Sequence, residues 1–309
     1  MQVQICGAGI SGSYLYMLLR DEHRVKVKEV RDTVDCVCAW GIAYRQAKEL
    51  YREIGLNFDE YVLSKPKFAI ANGIKFKNKN IVTFDRKSLL EELWKEIEFG
   101  QNDADIYIDA TGTERALLPK IKEDKIYLTV QYLEEHEIEE NVYAYARKTG
   151  YAWAFPLGDN RWHLGAGDIS YERAEELIKK LREFYGFNEK NVFCSCRGKV
   201  RMLPPSKCKP FVFEKIVGVG EAIGCVSGFG EGNAPSLECA KILFENFYDR
   251  SEYEKEVLRR FKWIEIEHKL VECMQNGKKI SAMLKIPRVA MIERKRSAFS
   301  LNFFKLIKI

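Results

Sequence analysis

The chain has 309 residues, 46% hydrophobic and 31% charged, with a formal net charge of +5. That composition fits a folded α/β protein and excludes disordered and fibrous classes. No run is long and apolar enough to span a bilayer. The first residues read as a strand rather than a basic and then apolar leader, so the expected setting is cytoplasmic, with nine cysteines as thiols.

The positive charge is local. Seven basic residues against Glu293 make the segment Lys285–Ile309 +6, which leaves the remainder at about −1. No basic stripe runs through the body, and no nucleic-acid partner is expected.

In chain order, Val3–Cys6 is a predicted strand, Ser11–His23 a helix and Arg24–Val30 a second strand, a βαβ opening. Ala43–Ile54 is a predicted helix. The stretch "FAIANGIKFKNKNIVTF" (Phe68–Phe84) predicts short strands with a hairpin at Asn72-Gly73. Arg86–Phe99 returns to helix, and Asp105–Thr111 is an apolar strand ending at Gly112. Four strands follow (Lys125–Tyr132, Val142–Lys148, Ala152–Pro156, Trp162–Gly167), then a charged helix (Tyr171–Tyr185) and extended segments at Val192–Val200 and Phe211–Phe213. Ile216–Gly220 is a short strand leading through a glycine-rich loop into a helix from Ala234. Ser251–Gln275 is predicted as one long helix.

Strands of Rossmann type are thus separated by β-rich insertions. The expected fold is α/β: a discontinuous Rossmann-like nucleotide-binding domain (1–60, 86–124 and 215–250) with an inserted antiparallel β-sheet domain (61–85 and 125–214). A short helical C-terminal region with a basic tail (251–309) completes it.

The pattern Gly7-x-Gly9-x-x-Gly12 follows a strand and opens a helix, and Glu29 closes the next strand 22 positions after the first glycine. The first glycine makes the tight turn, the second admits a pyrophosphate and the third allows close helix–strand packing. Unpaired N–H groups and a partial positive charge at the helix start favour phosphate. The turn Gly7, Ala8, Gly9, Ile10, Ser11 and Gly12 is therefore a candidate dinucleotide site. Glu29, with Val30 beside it, is the candidate ribose acceptor, which favours FAD or NAD over NADP. Gly112 closes the third strand. Arg86 at a helix start and the later loop Gly220, Glu221, Gly230, Gly232 and Asn233 extend the candidate site beyond the adenosine. That second loop suits a flavin, and no second G-x-G-x-x-G follows a strand to form a separate nicotinamide domain.

With these motifs the chain resembles the geranylgeranyl reductase family of para-hydroxybenzoate-hydroxylase-like flavoproteins, over roughly the first 250 residues. "CAWGI" (Cys38–Ile42) is similar to that family's Cys-Gly-x-Gly loop beside the flavin. "YAWAFP" (Tyr151–Pro156) is similar to its Tyr-x-Trp-x-Phe-Pro motif, and "GEAIG…GFGEGN" to its late glycine loop, with Glu221 in place of the usual Asp. The resemblance implies FAD contacts from the residues above together with Cys38, Ala39 and Gly41. It implies a substrate cavity lined by Tyr151, Trp153 and Phe155, and hydride delivery to a prenyl double bond of a lipid or polyprenyl substrate. The electron donor is not identified.

Cys38 is the candidate catalytic residue, its thiol tuning the ring or relaying a proton; a small buried hydrophobe is the ordinary alternative. For the aromatic triplet the alternative is core packing. Rival functions are a flavin monooxygenase or other oxidoreductase acting on a smaller molecule, and a non-catalytic flavin-binding or electron-transfer protein. The four histidines are scattered and no metal is expected. The segment 285–309 mixes apolar and basic residues, as a peripheral membrane contact would, or as a last helix packed on the body would.

Overall fold

A computed structural model of the chain describes residues 1–34, 39–188 and 191–296. It opens with β1 (Gln2–Cys6), α1 (Ile10–Leu19) and β2 (Arg24–Lys28), then β3 (Gly41–Ala43), α2 (Tyr44–Glu53), β4 (Val62–Ser64), β5 (Phe68–Ala71), β6 (Ile74–Lys77) and β7 (Ile81–Phe84). α3 (Arg86–Lys95) and β8 (Ile106–Asp109) follow. Next come β9 (Ile126–Glu135), β10 (Val142–Ala146), β11 (Tyr151–Gly158), β12 (Arg161–Asp168), α4 (Tyr171–Tyr185) and β13 (Val192–Arg201). β14 (Val212–Phe213), β15 (Ile216–Gly218), α5 (Asn233–Glu245), α6 (Arg250–Arg260), α7 (Lys262–Gln275) and α8 (Lys279–Arg296) end the described chain.

These elements form three sheets. The first has the order β14-β15-β8-β1-β2, and its pairs are parallel except β14 with β15. β1 is buried on both faces after its first residue, as a parallel strand covered by helices requires. α1 has buried residues all round because it lies between this sheet and α5, with Tyr14, Leu15 and Leu19 fully buried. The second sheet has the order β13-β9-β12-β11-β10-β5-β6 and is antiparallel except for β10 with β5. The third joins β3, β7 and β4.

The hairpin between β5 and β6 turns at Asn72 (φ 46°) and Gly73 (φ 78°), the paired positive φ values of a tight two-residue turn. α4 covers the second sheet. Ser170 accepts from Arg173 N–H at its start, and Gly186 (φ 78°) ends it in the left-handed region. Its buried Ala174, Leu177, Ile178 and Leu181 repeat at helical spacing and pack with Tyr143, Trp162 and Leu164 of the sheet.

The C-terminal region departs from the sequence reading. Ser251–Gln275 is two helices, broken at Phe261, whose backbone leaves the helical region (φ −92°, ψ 16°) while its ring is fully buried in the main core. Burial of one large aromatic outweighs the continuity of a charged, otherwise regular helix. Residues 279–296, read in part as tail, form α8. It packs Ala282, Ile286 and Val289 against Ile266, Leu270 and Cys273 of α7. Residues 297–309 lie outside the described chain.

Candidate functional site

Three turns meet at the C-terminal ends of the parallel strands β1, β8 and β15. Gly7 has φ +101°, and a Cβ there would stand 2.4 Å from the Ala110 carbonyl oxygen, at the end of β8. A Cβ on Gly12 would stand 1.9 Å from the Gly7 carbonyl oxygen. Gly220, at the end of β15, has φ +66°, and its Cβ would meet Ser11 Oγ at 2.8 Å. The first and late glycine turns are therefore in contact. Gly9 differs: a Cβ there would meet nothing within 4 Å. Gly7 and Gly12 are glycines because the protein fills the space, and Gly9 leaves its space open. That opening lies at the start of α1, where Gly9 is the N-cap and no side chain caps the helix. α5 likewise starts at Gly232 with no capping side chain and no acid in its first turn. Two uncapped helix starts beside an open glycine suit an anion.

Glu29 is tied into this turn. Its Oε2 accepts from Ala8 N–H (2.8 Å) and Arg31 Nη2 (2.8 Å), while Oε1 accepts from the N–H groups of Val30 and Arg31 and from Arg31 Nε (3.0 Å). Burial pushes this carboxyl up, but the hydrogen bonds from Arg31 and Ala8 and the Arg31 charge outweigh it and hold it at about 2. The Arg31 side chain, which sequence reasoning did not single out, covers this carboxylate. Val30 itself is exposed.

Arg201 was also missed. It is 1% exposed, at the end of β13. It donates to the carbonyls of Gly112 (3.3 Å), Thr113 (2.6 Å) and Glu221 (2.9 Å) and to Asp124 (3.0 Å), bracing the turn after β8 against the turn after β15. Its backbone N–H donates to Glu221 Oε1 at 2.7 Å. Burial raises the Glu221 carboxyl to about 7 against that bond and the guanidinium charge. Arginine at a strand end carries no local signature, and only its partners reveal the role. Arg86 begins α3, capped by Asp85, which accepts from Ser88 N–H at 3.0 Å. Trp94 on the same helix donates to the Ala8 carbonyl at 2.8 Å, tying α3 to the first glycine turn.

The aromatic triplet of β11 lies on three other glycines, one of them in the late loop. A Cβ on Gly230 would stand 1.8 Å from Tyr151 Oη, and one on Gly41 2.9 Å from the Phe155 ring. Between them Trp153 lies on Gly165 of β12, where a Cβ would stand 2.5 Å from the indole. Asn233 Nδ2 donates to the Gly41 carbonyl at 3.1 Å, joining the late loop to the segment around Gly41. Ala39 accepts from Gly41 N–H at 2.7 Å. Cys38 lies outside the described residues. Trp40 meets His163 of β12 edge to face, with ring centroids 4.6 Å apart. Neither Trp40 nor His163 was singled out by sequence. Trp40 Nε1, Trp153 Nε1 and His163 Nδ1 are buried with no hydrogen-bond partner among the described residues. Buried polar atoms of this kind are ordinarily satisfied, and three of them line one face of the second sheet. Burial lowers the His163 imidazole to about 4, only weakly opposed by Asp85, so the ring is neutral near pH 7.

Glu231, in the late glycine loop, has a buried Oε1 without a partner among the described residues, and burial raises its carboxyl to about 7. Among the described residues no cluster of His, Cys, Asp and Glu is placed to hold a metal, and no helix is long and apolar enough to cross a membrane.

No family model matches the chain. An uncharacterised protein of Methanocaldococcus jannaschii is 25% identical over 338 aligned positions, covering 88% of this chain and 91% of its own. Among solved structures, a geranylgeranyl bacteriochlorophyll reductase-like protein of Thermoplasma acidophilum superposes with a TM-score of 0.70 at 16% identity, covering 95% of this chain and 98% of that one. A flavoprotein/dehydrogenase of Cytophaga hutchinsonii gives 0.69 at 13% identity, over 92% of each chain. HpxO of Klebsiella pneumoniae, solved with FAD and uric acid, gives 0.63 at 13%, over 100% of this chain and 95% of that one. At these identities the likeness is one of fold: a Rossmann-like parallel sheet carrying an antiparallel sheet, with helices at the C-terminus.

Proposed function

We propose that the protein is an FAD-dependent oxidoreductase that reduces isoprenoid, geranylgeranyl-type double bonds of a lipid or polyprenyl substrate. One observation carries this reading: the first and late glycine turns touch each other, and the aromatic face of β11 touches the late loop at Gly230 and the Gly41 segment. The residues present fit the cofactor. Gly9 leaves open space over the backbone at an uncapped helix start, where a phosphate can approach. Unsatisfied nitrogens of Trp40, Trp153 and His163 lie on the aromatic face of the second sheet.

In this reading the Gly7–Gly12 turn holds the diphosphate, Glu29 receives the ribose after Arg31 moves, and Arg201 keeps the Gly220–Glu221 turn in place. Bound in its reduced form, FAD would supply hydride to one carbon of the double bond, and a proton from solvent would go to the other. Tyr151, Trp153 and Phe155 form an apolar wall that orients a prenyl chain and excludes water. Oxidation of a smaller molecule is the second reading. It is favoured by the direct contacts of Tyr151 with Gly230 and of Phe155 with Gly41, which bring the aromatic wall close to the loops.

Purification with a visible spectrum, followed by anaerobic incubation of the dithionite-reduced protein with geranylgeranyl lipids, tests both. The expected result is a bound flavin spectrum and a mass gain of one hydrogen pair per reduced bond. A preparation that refuses FAD overturns the cofactor assignment. A flavoprotein that leaves prenyl lipids unchanged but consumes oxygen with an aromatic substrate overturns the isoprenoid assignment in favour of the second reading.

A further inference from the structure

α8 carries two apolar faces. One, through Ala282, Ile286 and Val289, is spent on α7. The other points outward. Ile280, Met283, Leu284 and Met291 are exposed, Ile280 and Leu284 each at 77%, with Pro287 also exposed between them. These positions follow helical spacing, so they form one stripe along the helix. Arg288, Arg294 and Lys295 are exposed on the same side, with Lys278 and Lys279 at its start. The one acid of α8, Glu293, is turned inward and buried. The outward surface is thus apolar along its axis and purely cationic at its margins.

Its position is also informative. Gln275, at the end of α7, donates to Tyr127 Oη (2.8 Å) and to the Thr149 carbonyl (3.4 Å), and accepts from Lys125 Nζ (2.7 Å). Thr149 lies two residues before Tyr151. The turn into α8 therefore rests beside the start of the aromatic strand, and the stripe begins there.

We infer that the outward face of α8 docks the protein on an anionic lipid surface, the stripe entering the acyl boundary and the flanking cations meeting the headgroups. Charge complementarity selects this occupant. A second copy meeting this face in a two-fold dimer would set the same cations against one another. The inference stands on α8 and is independent of the redox reading.

Cosedimentation of the full-length protein with vesicles tests it, using phosphatidylcholine alone and phosphatidylcholine mixed with phosphatidylglycerol, at low and high salt. Binding is expected on the anionic vesicles and should fall with salt. The double substitution Ile280→Glu with Leu284→Glu should weaken it at least about tenfold, as should Arg288→Glu with Arg294→Glu. The second pair keeps the test decisive if the first fails to fold, as judged by circular dichroism. No binding, binding indifferent to headgroup charge, or binding unchanged in a folded variant overturns the inference. So does a concentration-dependent dimer, seen by light scattering, that the Ile280→Glu and Leu284→Glu protein no longer forms.

Discussion

The turns at the end of the parallel sheet and the aromatic face of the antiparallel sheet are linked through the late glycine loop, yet they are built from different materials. The turns are made mainly of backbone: Gly7 against Ala110 and Gly12 against Gly7, with Gly220 against the short side chain of Ser11. The aromatic face is made of side chains, Tyr151, Trp153 and Phe155, each lying on a glycine of another segment. A backbone turn tolerates no added atom where it is packed. A side-chain wall can exchange one ring for another but depends on what lies opposite. The first therefore reports on itself, and the second reports on its partner.

Three substitutions sharpen this contrast. The largest effect is expected at Gly12. Ala there puts its Cβ 1.9 Å from a carbonyl oxygen fixed by the turn, and neither group is the end of a flexible side chain. A loss on the order of 4 kcal/mol in denaturant unfolding is expected, with or without FAD. A shift of a few tenths would mean that the turn is looser than its contacts.

The next effect belongs to the aromatic side. His163 titrates near 6.5 when unfolded and about 4 when folded, because burial disfavours its cation. Its contribution is fully present above pH 6.5. As pH falls through this window the unfolded chain takes up a proton that the folded chain refuses, so stability falls by about 3 kcal/mol on reaching pH 4. His163→Phe should flatten that part of the stability–pH curve. An unaltered acid limb would show that the imidazole is not sealed between Trp40 and the sheet.

The smallest stability change should come at Gly9, where Ala meets only open space. The stability of the FAD-free protein should stay within about 0.5 kcal/mol, while affinity for FAD falls at least about tenfold as the methyl enters that space. Calorimetry on the same preparation measures both. Retained affinity would detach the open glycine from the diphosphate.

The glycine turn was legible because its constraint is local. A strand, three spaced glycines, a helix and an acid lie within one short stretch, and the structure assembles them as β1, α1 and β2. The β5–β6 hairpin was legible for the same reason, since Asn72-Gly73 itself supplies both positive φ values. Arg201 was not legible, because its hydrogen-bonded partners Gly112, Thr113, Asp124 and Glu221 are all distant in sequence. The break at Phe261 was hidden in a regular charge pattern that contains no proline or glycine.

The sequence by itself determined the elements whose geometry depends on a few neighbours: the βαβ opening, the tight turns and the alternation along β11. Tertiary structure alone decided which way each alternating face points. Period two separates Tyr151, Trp153 and Phe155 from Ala152 and Ala154 but leaves both sides of the sheet open. Gly41, Gly165 and Gly230 resolve that choice by leaving room for the three rings, and packing brings them together from three distant segments. The two faces of α8 follow the same logic: helical period marks two apolar stripes, and only contact with α7 shows which one is left outside.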